Sequence, residues 1–231
     1  MRTLFLAFLG CFVLAFSSYA AEGVVTDVLT KEKMATLSPD DVLALIIKGN
    51  KNFMQSKPTS RDIKAQLGKS DELGQAPMAI VLSCIDSRVP VEMIFDMGLG
   101  DIFVSRVAGN VISEDVLGSM EYATAHSTSK IVMILGHSSC GAVHAACHGE
   151  SGGNMTDMLA KINTSITNTD DMVCGVRADD FEDLVVEQNV REMVSKAREG
   201  SEILRTLESE GKIKIVGAFF ELSTGEVILL N

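Results

Sequence analysis

No internal repeat, no low-complexity stretch and no break in composition runs through these 231 residues, so nothing divides the chain into separately folding units. Basic residues are in the minority, 20 Lys and Arg against 31 Asp and Glu. A formal charge of −11 repels nucleic acid and anionic membrane, which argues against both as partners. A C-x-x-C pair is missing too, and a thiol-exchange or zinc-capture module would want one. The first twenty residues, "MRTLFLAFLGCFVLAFSSYA", hold an apolar run too short to span a bilayer with margin. They carry one Arg and end in small residues before "AEG", the pattern of a secretory signal (residues 1–20) cleaved near Ala20. A retained anchor and a lipidated Cys11 in "FLGC" compete with that reading, but the apolar run continues past the cysteine. Because the segment has no acid, its removal with Arg2 takes the formal charge from −11 to −12.

Export, to a periplasmic or secreted location without a membrane span in the mature form, means an oxidising compartment. Four cysteines remain there: Cys84, Cys140, Cys147 and Cys174. Two of them, if they are metal thiolates, must be protected by coordination, while Cys147 and Cys174 can pair or stay free.

What is present is apolar: 46% of residues, enough for one good core. A polar leader (21–37) precedes a domain expected over 38–231. It opens with "LSPDDVLALIIKGNKNF", a helix with Ser38 as N-cap and Pro39 at its first position. The following "SKPTSRDIKAQLGKSDELGQAP" has turn formers and no sustained period, and reads as a long surface connection. From there, apolar runs alternate with helical patterns: "MAIVLSC", "VPVEMIFDMG", "DIFVSRV", "SEDVLGSMEYATAHST", "KIVMILGH" and "SSCGAVHAACHG". Two further helices, "DMLAKINTSI" and "FEDLVVEQNVREMVSKAREGSEILRTLESEG", lead to closing strands "KIKIVGAFFEL" and "GEVILL" joined by "STGE". Continuous apolar strands between helices indicate an α/β fold with a mainly parallel central sheet covered by helices on both faces.

Cys84 ends the first core strand, and "GHSSC" puts His137 and Cys140 at the end of a later one, where ligands gather in open α/β sheets. A His and a Cys three apart, at a turn from strand into helix, can face one point. A second thiolate from a neighbouring strand makes a Cys2His donor set with one open position, which suits catalytic zinc. Taken singly, a buried Cys is most often a small hydrophobe and a lone His a satisfied residue; it is the combination that points to metal. In "CIDSR", alternation sets Asp86 and Arg88 on the side of Cys84 and turns Ile85 away. Asp86 then lies within reach of the open position, and a bidentate Arg88 fork would hold it off the metal.

"CIDSR" followed by "GHSSCG" resembles the β-class carbonic anhydrases, whose signatures have the forms C-x-D-S-R and H-x-x-C. The likeness runs from about Ser38 to the C-terminus through "SRVAGNVI" and "KIKIVGAFFELSTGEV". Ile85 stands where Ser is usual and Val107 where Asn is common. The resemblance implies an edge-placed antiparallel last strand, an N-terminal helix packed on a partner subunit, and a homodimer or higher homo-oligomer. It implies one zinc per subunit on Cys84, His137 and Cys140, with Asp86 and Arg88 as the catalytic dyad. Gln75, Phe103 and Tyr122 match the substrate pocket of a plant-like subtype with a permanently open site, the aromatic wall being contributed by the partner. The subtype that bicarbonate closes wants a Trp where this chain has Val81, and the chain has no Trp.

The implied activity is reversible hydration of carbon dioxide to bicarbonate and a proton by a zinc-bound hydroxide that Asp86 orients. His126, four residues after Tyr122, is the candidate proton relay; His144 has a weaker claim and His148 none. Attack of the same nucleophile on carbon disulfide or carbonyl sulfide is the alternative chemistry, and pocket access separates the two.

Overall fold

The computed structural model describes residues 23–168 and 179–230, so the expectations for the signal segment, Cys11 and Cys174 lie outside the described residues. The leader joins the body. Val25 bridges to Arg61, and the short helix α1 (Lys31–Ala35) buries Met34 completely against the core. Helix α2 (Pro39–Met54) starts as expected: Ser38 and Asp41 form a reciprocal capping box, typically worth about 1 kcal/mol. One expectation is corrected. The supposed surface connection contains helix α3 (Ile63–Leu73), started by the Asp62 side chain accepting the Ala65 N–H. Ile63, Leu67 and Leu73 are exposed and only Gln66 is buried, so the segment has no apolar face for periodicity to reveal.

Next come β1 (Ala79–Ser83), α4 (Val91–Ile94), β2 (Ile102–Arg106) and α5 (Glu114–Glu121), which runs on into a π-helical turn over Tyr122–His126. Then follow β3 (Ile131–His137), α6 (Gly141–Cys147), α7 (Asn154–Ala160), α8 (Asn163–Asn168), α9 (Asp179–Gly200), α10 (Glu202–Ser209), β4 (Lys214–Glu221) and β5 (Glu226–Leu230). The single long helix read near the C-terminus is two, because the Ser201 hydroxyl caps the Leu204 N–H and starts α10 afresh.

The sheet order is β2-β1-β3-β4-β5, parallel throughout except for antiparallel β5 at one edge. Every residue of β1 and β3 is buried, which is why both read as unbroken apolar runs. Alternate residues serve the two faces. Leu82, Val132 and Ile134 pack with Val186, Val190 and Met193 of α9, while Val81, Met133 and Leu135 pack with Val42 and Ile46 of α2 and with Phe95. Helix α9 lies so close to β3 and β4 that a Cβ at Gly136 or Gly217 would come within 2.7 or 2.8 Å of Val186 and Val190 side-chain carbons. Among the described residues, no helix is long and apolar enough to cross a membrane.

Candidate metal centre

From β1 the chain crosses to β2 on one side, whereas β3 lies on the other, so the strand order reverses between β1 and β3. That reversal leaves a crevice at their carboxyl ends. Cys84 follows β1 directly, His137 is the last residue of β3, and Cys140 is the N-cap of α6. Between them Ser139 takes a left-handed turn (φ 54°), fixed by its N–H donating to Asp183 Oδ1 at 2.8 Å. One donor atom from each of Cys84, His137 and Cys140 falls within 4.8 Å of the others, with the sulfurs 4.0 Å apart and all three residues buried.

The electrostatics of this pocket ask for a cation. The Cys140 thiol hydrogen bonds to Cys84 and, against the opposing effect of burial, brings Cys84 down to about 4. Cys140 in turn is pushed far above the usual thiol range by that contact and by its own burial. At His137, burial disfavours the charge, yet the Cys84 sulfur, the Ser138 carbonyl and Asp86 together raise its pKa above the ordinary imidazole value. His137 Nδ1 donates to the Ser138 carbonyl at 2.9 Å, and Nε2 is buried without a hydrogen-bond partner. A buried ring nitrogen without a hydrogen-bond partner, set beside two sulfurs, fits a tetrahedral metal that would displace its proton and leave one position over.

Asp86 lies beside these donors: its Oδ2 is 3.8 Å from His137 Nε2. Both its oxygens are engaged by Arg88, which donates from Nε to Oδ1 at 3.0 Å and from its terminal nitrogen to Oδ2 at 2.8 Å. That fork, ahead of the opposing effect of burial, lowers the Asp86 carboxyl to about 2. The pairing arises from a turn more than from strand alternation, since residues 87 and 88 leave the extended path and the Arg88 N–H also donates to Asp86 Oδ1 at 2.9 Å. Arg88 is anchored further by donating to the Ser139 carbonyl at 3.2 Å. Ile85 points out, 60% exposed.

A family model for carbonic anhydrase matches residues 79–227, the stretch that carries this centre. The chain belongs to the β-class carbonic anhydrases. It is thus assigned to the carbonic anhydrase lyases, which hydrate carbon dioxide. Carbonic anhydrase 2 of Mycobacterium tuberculosis is 34% identical over 205 residues, covering 85% of this chain and 95% of the relative. The carbonic anhydrase of Mycolicibacterium smegmatis is 36% identical over 187 residues, covering 78% and 88%. Among solved structures, a tetrameric β-carbonic anhydrase of Sordaria macrospora superposes with a TM-score of 0.65 at 28% identity, covering 71% of this chain and 85% of that one. The Coccomyxa β-carbonic anhydrase in complex with acetazolamide gives 0.64 at 26% identity, covering 81% and 86%.

The other residues that the family likeness singles out are not among the gathered donors. Phe103 and Tyr122 face each other with ring centroids 6.5 Å apart, and together with Ile80 and Ser119 line an open cavity of about 640 Å³. None of Cys84, His137 and Cys140 lines that cavity. Gln75 is exposed in the loop after α3. His126 stacks on Tyr122 at 6.1 Å, so the four-residue spacing does put them on one face, although on a π-helical turn.

Two supports of the carbonic anhydrase centre were not read from the sequence. Arg106 donates to the Cys84 carbonyl at 2.9 Å and the Asp86 carbonyl at 2.5 Å, clamping the ligand loop from β2. Buried Asn189 of α9 donates to the Gly109 carbonyl at 2.9 Å, and the Gly109 N–H donates to Cys84 Sγ at 3.3 Å. Gly109 (φ 67°) and Asn110 (φ 44°) make the turn that aims this amide, and Val107 begins it by donating its N–H to the Ser83 carbonyl at 3.0 Å. "SRVAGN" was the visible signal for the turn; nothing local marks Asn189.

Proposed function

We propose that the chain holds one zinc ion on Cys84, His137 and Cys140 and reversibly hydrates carbon dioxide to bicarbonate and a proton, with an open site of the plant-like kind. The observation that carries this reading is the orphaned His137 Nε2 facing two sulfurs, while Asp86 beside it is already bound at both oxygens by Arg88. When bound, zinc lowers the pKa of water enough to supply a nucleophile near neutrality.

This chain's residues do the rest. Asp86, kept ionised by Arg88, has lone pairs to accept a proton-bearing group at the open position and so orients the nucleophile toward carbon. Arg88 withholds that carboxylate from the metal. Two thiolates cancel more of the ion's charge than imidazoles would, so the controlling ionisation falls above the pH of about 7 typical of all-histidine sites.

Phe103 and Tyr122 supply an apolar wall that keeps bulk water from the substrate, and Gln75 an amide for a bicarbonate oxygen. Since none of the three donors lines the cavity of Phe103 and Tyr122, these residues serve the centre of a neighbouring subunit. A homodimer or larger assembly follows, with the face of α2 that does not pack on its own sheet, where Leu45 is exposed, set against the partner. Phe103 lies on β2, the parallel edge strand of the sheet among the described residues, and Tyr122 is 58% exposed; both suit an interface. His126, exposed and stacked on Tyr122, takes up the proton at its ring nitrogen. Export with cleavage near Ala20 is part of the proposal, and the disulfide-bonded state of Cys147 supports it.

The test is stopped-flow hydration of carbon dioxide by the zinc-replete protein across pH. We expect catalysis that rises with a midpoint above about pH 7. A rate no higher than that of buffer at every pH would overturn the reading.

A further inference from the structure

A second group of metal-binding side chains stands at the far end of α6. His144 and His148 are four apart, on one face of the helix end, with ring centroids 4.1 Å apart. Glu182, from the start of α9, reaches between them: its oxygens lie 3.0 and 3.1 Å from His144 Nδ1, and Oε1 lies 3.8 Å from His148 Nδ1. One donor atom from each falls within 4.8 Å of the others.

We propose that His144, His148 and Glu182 form a second metal site, separate from the catalytic centre, that takes a divalent transition ion such as zinc or nickel. Two imidazoles and one carboxylate suit this class of ion; calcium and magnesium prefer shells made of oxygen. The His148 ring is held at the helix end by its Nδ1, which donates to the His144 carbonyl at 2.9 Å, and side-chain rotation would turn a ring nitrogen bearing a lone pair toward Glu182. Side-chain rotation closes the remaining gaps to the roughly 2.0–2.2 Å of zinc–nitrogen and zinc–oxygen bonds. The side chains of His144 and His148 are 55% and 40% exposed, so an ion enters from solvent and water completes its shell.

Such an ion would tie α6 to α9. Both helices also brace the catalytic turn: Cys140 leads into α6, and the neighbour of Glu182, Asp183, accepts the Ser139 N–H. Occupancy therefore stiffens the fold around the first site without supplying any of its ligands.

The experiment is calorimetric titration of the zinc-loaded protein, freed of excess metal, with further Zn2+, alongside metal analysis and thermal unfolding. One additional ion per chain is expected, with Tm raised by a few degrees at saturation. His148→Ala should weaken that second binding about a hundredfold and Glu182→Gln about tenfold, while the first zinc and the hydration rate are retained in both. Finding no second ion would overturn the proposal. So would a second ion bound equally well by the double variant His144→Ala, His148→Ala with its first zinc in place.

Discussion

At the carboxyl ends of β1 and β3, one chain supplies every part of a metal centre: three buried donors, a carboxylate held by an Arg fork, and backbone clamps from Arg106 and Ser139. Along β2 the same chain supplies pieces. Phe103 and Tyr122 line an open cavity that none of the three donors lines, Gln75 is exposed, and β2 is an edge strand among the described residues. The difference teaches that the donor set for a metal is assembled within one chain, whereas the proposed pocket for substrate needs a second copy to complete it.

The comparison breaks most severely at a ligand. Cys140→Ser keeps the shape of the turn and removes a thiolate, so metal per chain should fall close to zero and hydration to background. Retention of both would mean that Cys140 is only a core residue. Asp86→Ala comes next: hydration should drop by about a hundredfold with zinc retained, as removal of one oriented transition-state contact does. Wild-type activity in that variant would remove Asp86 from the mechanism.

Dilution sharpens the contrast with the β2 edge. Activity per chain should fall severalfold as subunits separate, while metal per chain holds, and Tyr122→Ala should shift the fall to higher protein concentration. Activity independent of assembly would place the whole pocket within one chain. The smallest effect is expected at Asn189→Ala. Loss of the donor to the Gly109 carbonyl costs about 1 kcal/mol, the low end of the usual range because Asn189 Oδ1 is itself buried without a hydrogen-bond partner. Thermal unfolding should register this as a Tm lowered by about 2–4 °C.

How much was legible in the residues follows the same division. β1 and β3 read as strands because both their faces are buried, and the ligands read as a set because "CIDSR" and "GHSSC" sit at strand ends. Helix α3 escaped because its apolar residues face solvent, leaving no period to detect. The Asp86–Arg88 pairing was foreseen for an incomplete reason, since a turn at residues 87 and 88 makes it. Asn189 was hidden because its partner, Gly109, is 80 residues away, and only the packing of α9 on the sheet brings the two together.

The most direct test of the central claim is X-ray absorption at the metal edge, on the wild-type protein and on Asp86→Ala. The account predicts the same first shell in both: two sulfurs at about 2.3 Å, one imidazole nitrogen at about 2.0–2.1 Å and one further light atom from solvent. A shell with fewer than two sulfurs, or one that loses its fourth donor when Asp86 is removed, would contradict it.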